Sequence, residues 1–415
     1  MYPWRGALSS WAESTNLQVD ALGLVTMLGS EEIDRSVGRL VSSRYVEYLP
    51  FLGAFVIASN RFMQKKPGFT LYNFTSGIQT TELAGWFTRW IQAQDFTQVR
   101  DVVEWEVGAR PIRSLKFVVG LLLVGLPLHG ILVALTVLSG DWWGFANAMA
   151  MAASVIVRVT LVAQVQKGID KAIAKADKDA HERHTKSVEA YKIKLREYKS
   201  RSVSTKKEDI ASTSAPKRPN RPGNPFVIAK TIVVTDDSKV ITVRAPDYLI
   251  GPIFTKNPKV PNPWLYAFVR YVGWAAFALH IVSLGMAALV TQIYTVVLIM
   301  GATVLSTYKI GCDDWKLGAK AARATTKKAN DVESNGASNV PRCWVSSTLG
   351  AHCSQYPYSE SVRRQDLYVW LEPDDSELGL MKDWYLIPHK NSSWMAELER
   401  KQTEYHKNLK SRSTI

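Results

Sequence analysis

Two histidines lie inside stretches almost free of other ionisable groups. His129 falls within Phe117–Leu138, 22 residues with no Asp, Glu, Lys or Arg. His280 falls within Trp264–Tyr308, where Arg270 is the one other cationic side chain. An imidazole in so apolar a setting can relay protons or hold a polar substrate, because its desolvation must be offset by a partner or a cavity. His129, His280 and Arg270 are therefore the candidate polar path. The competing account is structural, with neutral imidazoles hydrogen-bonding across helices. Each histidine follows a leucine, Leu128 or Leu279, and the next apolar run exits through Gly168-Ile169-Asp170 or Gly311-Cys312-Asp313. Those matches suggest a tandem duplication of one helical pair, a device common in transporters.

Other chemistry is harder to place. His181-Glu182-Arg183-His184 invites comparison with a zinc-protease helix, but that motif needs His at i and i+4, and position 185 is Thr185. Three cysteines cannot form a disulfide framework, and His352 beside Cys353 does not complete a tetrahedral site with Cys343. They read as reduced thiols. Asp374-Asp375 follows Pro373, where aspartate serves turns through local hydrogen bonds. Phosphate-binding loops, nucleophile elbows and paired catalytic carboxylates do not occur in credible context. No catalytic residue, cofactor or metal ion is assigned from the sequence.

The elements that must position these residues follow from how charge is distributed over 415 residues. Lys and Arg number 51 against 37 Asp and Glu, a formal +14. The mean hydropathy of −0.07 hides a division between apolar runs and charged arms. Spans are expected at Phe117–Leu138, Trp142 to about Ala163, Trp264–Gly285 and Leu289–Tyr308, each long enough for a hydrocarbon core of about 30 Å. Ser139-Gly140-Asp141 turns the first pair back on itself. The fold class expected is an all-α membrane region of four transmembrane helices in two hairpins, with a small mixed α/β cytosolic portion. A shorter run, Leu49–Ala58, reads as a buried or interfacial segment. Beside it Leu83, Trp86, Phe87, Trp90 and Ile91 form a helical stripe. It suits either a bilayer surface, with Arg89 on the polar side, or ordinary protein packing.

Orientation follows from the flanking cations. Arg110, Arg113 and Lys116 precede the first span, and Lys167, Lys171, Lys175 and Lys178 follow the second. Lys256 and Lys259 precede the third; Lys309, Lys316, Lys320 and Arg323 follow the fourth. The two turns hold no Lys or Arg, so both hairpins open to the cytosol and both termini lie inside. Trp142, Trp143 and Trp264 suit the lipid–water interface, and Arg158 and Arg270 can reach toward headgroups, or hold a ligand, from the cytosolic ends of their spans. The lysines after the second span offer contacts to anionic headgroups. Because the cations cluster beside spans, nucleic acid is not an expected partner. Four spans make a thin transporter, so a transport role implies a homo-oligomer.

The arms divide the chain further. Residues 1–110 are expected to be a helical cytosolic or interfacial region, 111–166 the first hairpin, and 167–224 a basic helix and linker. Within that helix Ile169, Ile173, Ala176 and Ala180 make a modest coiled-coil stripe. Segment 225–262 holds a β-hairpin turning at Asp236-Asp237-Ser238, expected to pair with a strand near Leu367–Leu371. The second hairpin occupies 263–310. The tail, 311–415, carries Trp344, Trp370, Trp384 and Trp394 in a small folded unit, with a basic helix from Lys401. The sequons at Asn73 and Asn391 would be silent in cytosolic arms. No cleaved signal peptide is expected.

Gly273-Trp274, the run Ala276–Gln292 with its His-Ile-Val-Ser-Leu-Gly-Met core, and Met381-Lys382-Asp383-Trp384 through Pro388, with Asn391 and Trp394, resemble a group of uncharacterised multi-pass membrane proteins of filamentous fungi. The likeness covers roughly residues 225–395 and implies membrane location, with no activity or catalytic residues attached. The expected function is a non-enzymatic membrane scaffold or sensor whose cytosolic surfaces engage lipid or a protein partner. The alternative is an oligomeric transporter or channel subunit built on His129 and His280, with a lipid-modifying enzyme third.

Overall fold

The computed structural model describes residues 30–42, 58–96, 99–111, 115–205, 224, 226–315, 317, 342–355, 363–388 and 390–412. The run before Ala58, the heart of the linker after Thr205, and linker 327–339 lie outside them. Nine α-helices of eight or more residues and seven strands make up most of the described residues, with three shorter helical turns at Arg61–Met63, Asp247–Leu249 and Ile250–Thr255. The helices are α1 (Ser30–Gly38), α2 (Gly85–Ala93), α3 (Leu115–Ser139), α4 (Trp142–Thr205), α5 (Pro263–Met286), α6 (Leu289–Thr307), α7 (Arg364–Leu371), α8 (Asp375–Asp383) and α9 (Ser392–Arg412). The strands are β1 (Thr70–Asn73), β2 (Ile78–Thr80), β3 (Asp101–Val107), β4 (Ile228–Val234), β5 (Val240–Pro246), β6 (Arg342–Trp344) and β7 (Leu349–Gln355).

Three helices, α4, α5 and α6, are long and apolar enough to cross a membrane. The first expected span, Phe117–Leu138, coincides with the 25-residue helix α3, of which Gly125–Ser139 is the described apolar part. α4 and α5 run antiparallel in close contact. A Cβ on Gly273 would sit 3.1 Å from Val157, and one on Gly168 would sit 2.7 Å from the carbonyl oxygen of Lys259, just ahead of α5. α6 packs instead on α3 and α1, so the two helices of the second apolar pair take different neighbours. α4 does not stop at the end of its apolar run: it continues unbroken for 64 residues, about 96 Å of helix.

The seven strands form one sheet in the order β2-β1-β4-β5-β3-β7-β6, antiparallel except where β3 and β5 run parallel. β4 and β5 are the expected hairpin, in register from Ile228 opposite Pro246 to Val234 opposite Val240. The turn is closed by Ser238 at φ +63°. Their expected partner at Leu367–Leu371 is not a strand; those residues belong to helix α7. The hairpin pairs with β1 and β3, both from the region expected to be helical.

Each sheet face carries its own core. On one face Trp86, Phe87, Trp90, Trp105 and Phe254 interlock, with ring centroids 4.7 Å apart for Phe87–Phe254 and 5.0 Å for Trp90–Trp105. The stripe on α2 is therefore protein core: Leu83, Trp86, Phe87 and Trp90 are 0 % exposed, and a bilayer-surface role is overturned. Arg89 is buried too, paired with Asp34 at 2.8 Å and donating to the carbonyls of Arg61, Gln64 and Gly85. On the other face Val102, Ile232 and Val240 pack under Leu367, Tyr368, Met381, Ile387 and Leu398 from the C-terminal helices. Asp374 caps α8 in a capping box with Glu377, the local hydrogen-bonding role that its turn position favours.

Candidate functional site

The contacts Val157–Gly273 and Asp141–Ala288 set the register of α4 on α5. That register puts Asn147 level with Ser283, and both are 0 % exposed. Asn147 donates from Nδ2 to Thr295 Oγ1 of α6 at 3.0 Å. Ser283 donates to the Leu279 carbonyl at 2.5 Å, and Thr136 and Thr291 are buried at 1 %. One turn from Ser283, His280 is 7 % exposed, and its Nδ1 has no hydrogen-bond partner among the described atoms. The Oδ1 of Asn147 is in the same state. Asparagine, serine and threonine in an apolar run carry no charge signal, which is why the sequence singled out only the histidine. Across helices such side chains join backbones and fix rotation.

Of the three candidate path residues, Arg270 and His280 share α5 but stand apart along it. Arg270 lies ten residues from His280 on the same helix, about 15 Å along the axis. Its Nε donates to the carbonyl of Ala58 at 2.6 Å. His129 is half-buried on α3, next to Leu128, whose carbonyl accepts from the Tyr294 hydroxyl at 3.2 Å. The anchors differ among themselves. Trp142, Trp143 and Trp264 are 74 %, 45 % and 79 % exposed. The α4–α5 register sets Trp142 and Trp264 24 residues apart along α4, about 36 Å, a spacing suited to two interfacial belts around a core of about 30 Å. Arg158 is 4 % exposed, held within protein rather than reaching outward.

Beyond the Trp264 level, α4 enters the sheet-bearing part of the molecule. Val165, Ile169, Ile173, Ala176 and Ala180 are buried there, so the expected coiled-coil stripe packs within this chain. Asp170 accepts from the Thr348 hydroxyl at 2.6 Å and the Thr348 amide at 3.1 Å, tying α4 to the β6–β7 turn. Lys167, Lys171, Lys175 and Lys178 are all exposed on the remaining face. His181 is exposed, with its ring tilted against that of Phe226 at 4.5 Å between centroids.

A second polar cluster lies where α6 leaves the bundle. Arg39 and Asp314, 4 % and 0 % exposed, pair at 3.4 Å, and Arg39 also donates to Cys312 Sγ at 2.9 Å. Gln94 donates to Asp314 at 2.9 Å, while Arg110 pairs with Asp313 at 2.9 Å. Burial alone would lower Arg39, but Asp314 and the neighbouring cysteines hold it raised. Lys309, expected as a flanking cation, is instead buried at 8 % with φ +56°. Burial pushes its ammonium down, partly countered by Asp314 and Asp95. Cys343 and Cys353 are free and fully covered, and burial drives both thiols up, which makes them poor nucleophiles.

The sheet face under the C-terminal helices also carries a charged row. His352 faces Glu104 at 2.8 Å, Arg244 reaches Glu104 at 3.3 Å, and Arg342 reaches Glu106 at 3.4 Å. The bond to His352 is the main cause that holds Glu104 below the usual carboxylate range. Among the described residues no three His, Cys, Asp or Glu side chains are placed to hold a metal ion. The chain matches no family model, no curated protein and no solved structure, so the likeness to fungal membrane proteins rests on the quoted sequence segments alone.

Proposed function

We propose that the chain is an integral membrane scaffold that holds a mixed-sheet unit firmly against the cytosolic end of its helices. The observation that carries this is α4, one uninterrupted helix from Trp142 to Thr205 that is docked to the sheet, just past its apolar run, through Asp170 and Thr348. A flexible joint would let the two parts move apart; a continuous helix packed on both parts couples them. In this proposal four spans form two pairs open to the cytosol, with both termini inside. Lys167, Lys171, Lys175 and Lys178 then face anionic headgroups, at about 1 kcal/mol per cation near the surface.

The test is amine labelling of the purified protein in nanodiscs. Phosphatidylserine should shield Lys167 and Lys171 relative to discs of phosphatidylcholine alone, with Lys194 and Lys199 as internal controls. Equal labelling in both discs refutes the lipid contact. Glycosylation acceptors inserted on spacers at Gly140 and Ala287 test the orientation, which requires modification at both.

A transporter subunit is the second reading, favoured by the buried His280 imidazole whose Nδ1 has no hydrogen-bond partner among the described residues. It requires an oligomer and a path through His129 and His280. Proteoliposome flux lost in the His129→Ala, His280→Ala double variant supports it, and flux that persists there excludes that path.

A further inference from the structure

The apolar stripe along the charged half of α4 has two parts with different surroundings. Ile169, Ile173, Ala176 and Ala180 are buried against the rest of this chain. Phe226 then meets His181 and His184, with ring centroids 4.5 Å and 6.4 Å apart, and the helix runs on to Thr205. On that extension Val188, Tyr191, Leu195 and Tyr198 follow at spacings of 3, 4 and 3 residues. They are half-buried, and none is covered as Ile169 and Ile173 are.

Alternating steps of three and four make a heptad, with Val188 and Leu195 at positions a and Tyr191 and Tyr198 at positions d. Such a seam is one side of a helix–helix interface. Its borders carry a single sign of charge: Lys192 and Lys199 fall at e and Lys194 at g, all exposed. Glu189 and Glu197 fall at b and c, away from the seam. Two copies of this chain would set these lysines against one another in either orientation, which disfavours self-pairing. The bilayer is also remote in the scaffold reading. Val188 lies about 33 Å farther along α4 than the Trp264 level. That is several times the screening length of about 8 Å at physiological salt.

We infer that the Val188–Tyr198 stripe docks an acidic amphipathic helix of a partner protein, with apolar residues at its own a and d positions and Glu or Asp at e and g. Carboxylates of that helix meet Lys192, Lys194 and Lys199 along the borders. Tyr191 and Tyr198 add apolar area and hydroxyl donors, a combination that suits an interface with a wet edge. The inference deepens the scaffold reading by naming the partner's chemistry. It rests on that reading for the direction of α4, and the lipid test at Lys167 and Lys171 can fail without touching it.

Fluorescence anisotropy of the full-length detergent-purified protein with a labelled three-heptad peptide, Leu at a and d and Glu at e and g, tests it. Saturable binding that weakens as salt rises is expected, while the same peptide with Lys at e and g fails to bind. Leu195→Glu should weaken binding at least about tenfold, because a charge replaces the seam's leucine. The Lys192→Glu, Lys194→Glu double variant should instead prefer the Lys-flanked peptide, a gain that misfolding cannot produce. No saturable binding, equal binding of both peptides, wild-type affinity in Leu195→Glu, or an unchanged preference in the charge-reversed variant would each overturn the proposal. A disulfide-linked dimer of Leu195→Cys that excludes the peptide would overturn it in favour of a second copy of this chain.

Discussion

The carboxylate of Asp141 joins two separate helix turns: Oδ1 accepts from the Gly144 amide at 2.8 Å, and Oδ2 accepts from the Ala288 amide at 2.9 Å. The first bond caps α4, and the second fastens the α5–α6 connection onto the α3–α4 connection. Both amides are among those a helix end leaves without intrahelical partners. One short acidic side chain therefore sets the register in which Asn147 meets Thr295 and Val157 meets Gly273.

Asp141→Ala should cost about 1–3 kcal/mol, through the lost cap and the stranded Ala288 amide. Asp141→Asn keeps one acceptor oxygen and should lose roughly half as much. Thermal unfolding in detergent measures both. Equal stability of Asp141→Ala and wild type would show that the two turns are held by packing alone.

The Arg39–Asp314 pair makes a second prediction. Both side chains are at most 4 % exposed, so removing one partner leaves a buried charge. Arg39→Met or Asp314→Leu alone should cost about 3–5 kcal/mol, and the double replacement should cost clearly less than their sum. A double-mutant cycle by chemical denaturation decides it, and strict additivity would mean that the two charges are solvated separately.

What the sequence disclosed, and what it hid, follows from the kind of signal each element sends. Apolar runs of about twenty residues stand out against charged flanks, so α4, α5 and α6 were legible. The β4–β5 hairpin was legible from its β-branched runs and polar turn. β3 was not: Asp101, Glu104 and Glu106 make it look like a charged arm, yet Val102, Val103 and Trp105 are buried on the two faces of the sheet. Sheet partners far apart in the chain leave no local trace, hence the false strand at Leu367–Leu371. The repeated Gly-x-Asp was a different trap. Gly168 sits within α4, where Lys259 comes close, whereas Gly311 forms a left-handed turn at φ +77° after α6. The two glycines serve unrelated local needs, which removes a support for the duplication. Arg39 and Gln94 sent no signal either, because burial of a polar residue is decided by tertiary packing.

Lys309 gives a pH-dependent prediction. Burial lowers its pKa in the folded state below the ordinary lysine value of 10.5. Between the folded pKa and 10.5 the unfolded chain binds more protons, so stability should rise with pH across that window. Below it, the cost of burying the ammonium is present in full. Lys309→Met should therefore raise the unfolding temperature at neutral pH and flatten the alkaline rise. A lower melting temperature for Lys309→Met at pH 7 would show that attraction to the charges of Asp314 and Asp95 outweighs desolvation.

Gly168 provides the last prediction. A Cβ there would lie 2.7 Å from the Lys259 carbonyl oxygen and 3.5 Å from Pro258, and the nearer obstacle is backbone that cannot rotate aside. Elsewhere in a helix, Gly→Ala gains roughly 1 kcal/mol from propensity. Here overpacking of about 1–3 kcal/mol opposes that gain, so Gly168→Ala should be neutral to destabilising and Gly168→Leu destabilising. The displacement has a direction as well. Pushing residues 258–259 off α4 pulls at the start of α5, so a cysteine pair at Val157 and Gly273 should cross-link more slowly in Gly168→Leu. Unchanged cross-linking with lowered stability would place the strain in the loop before Pro263 instead.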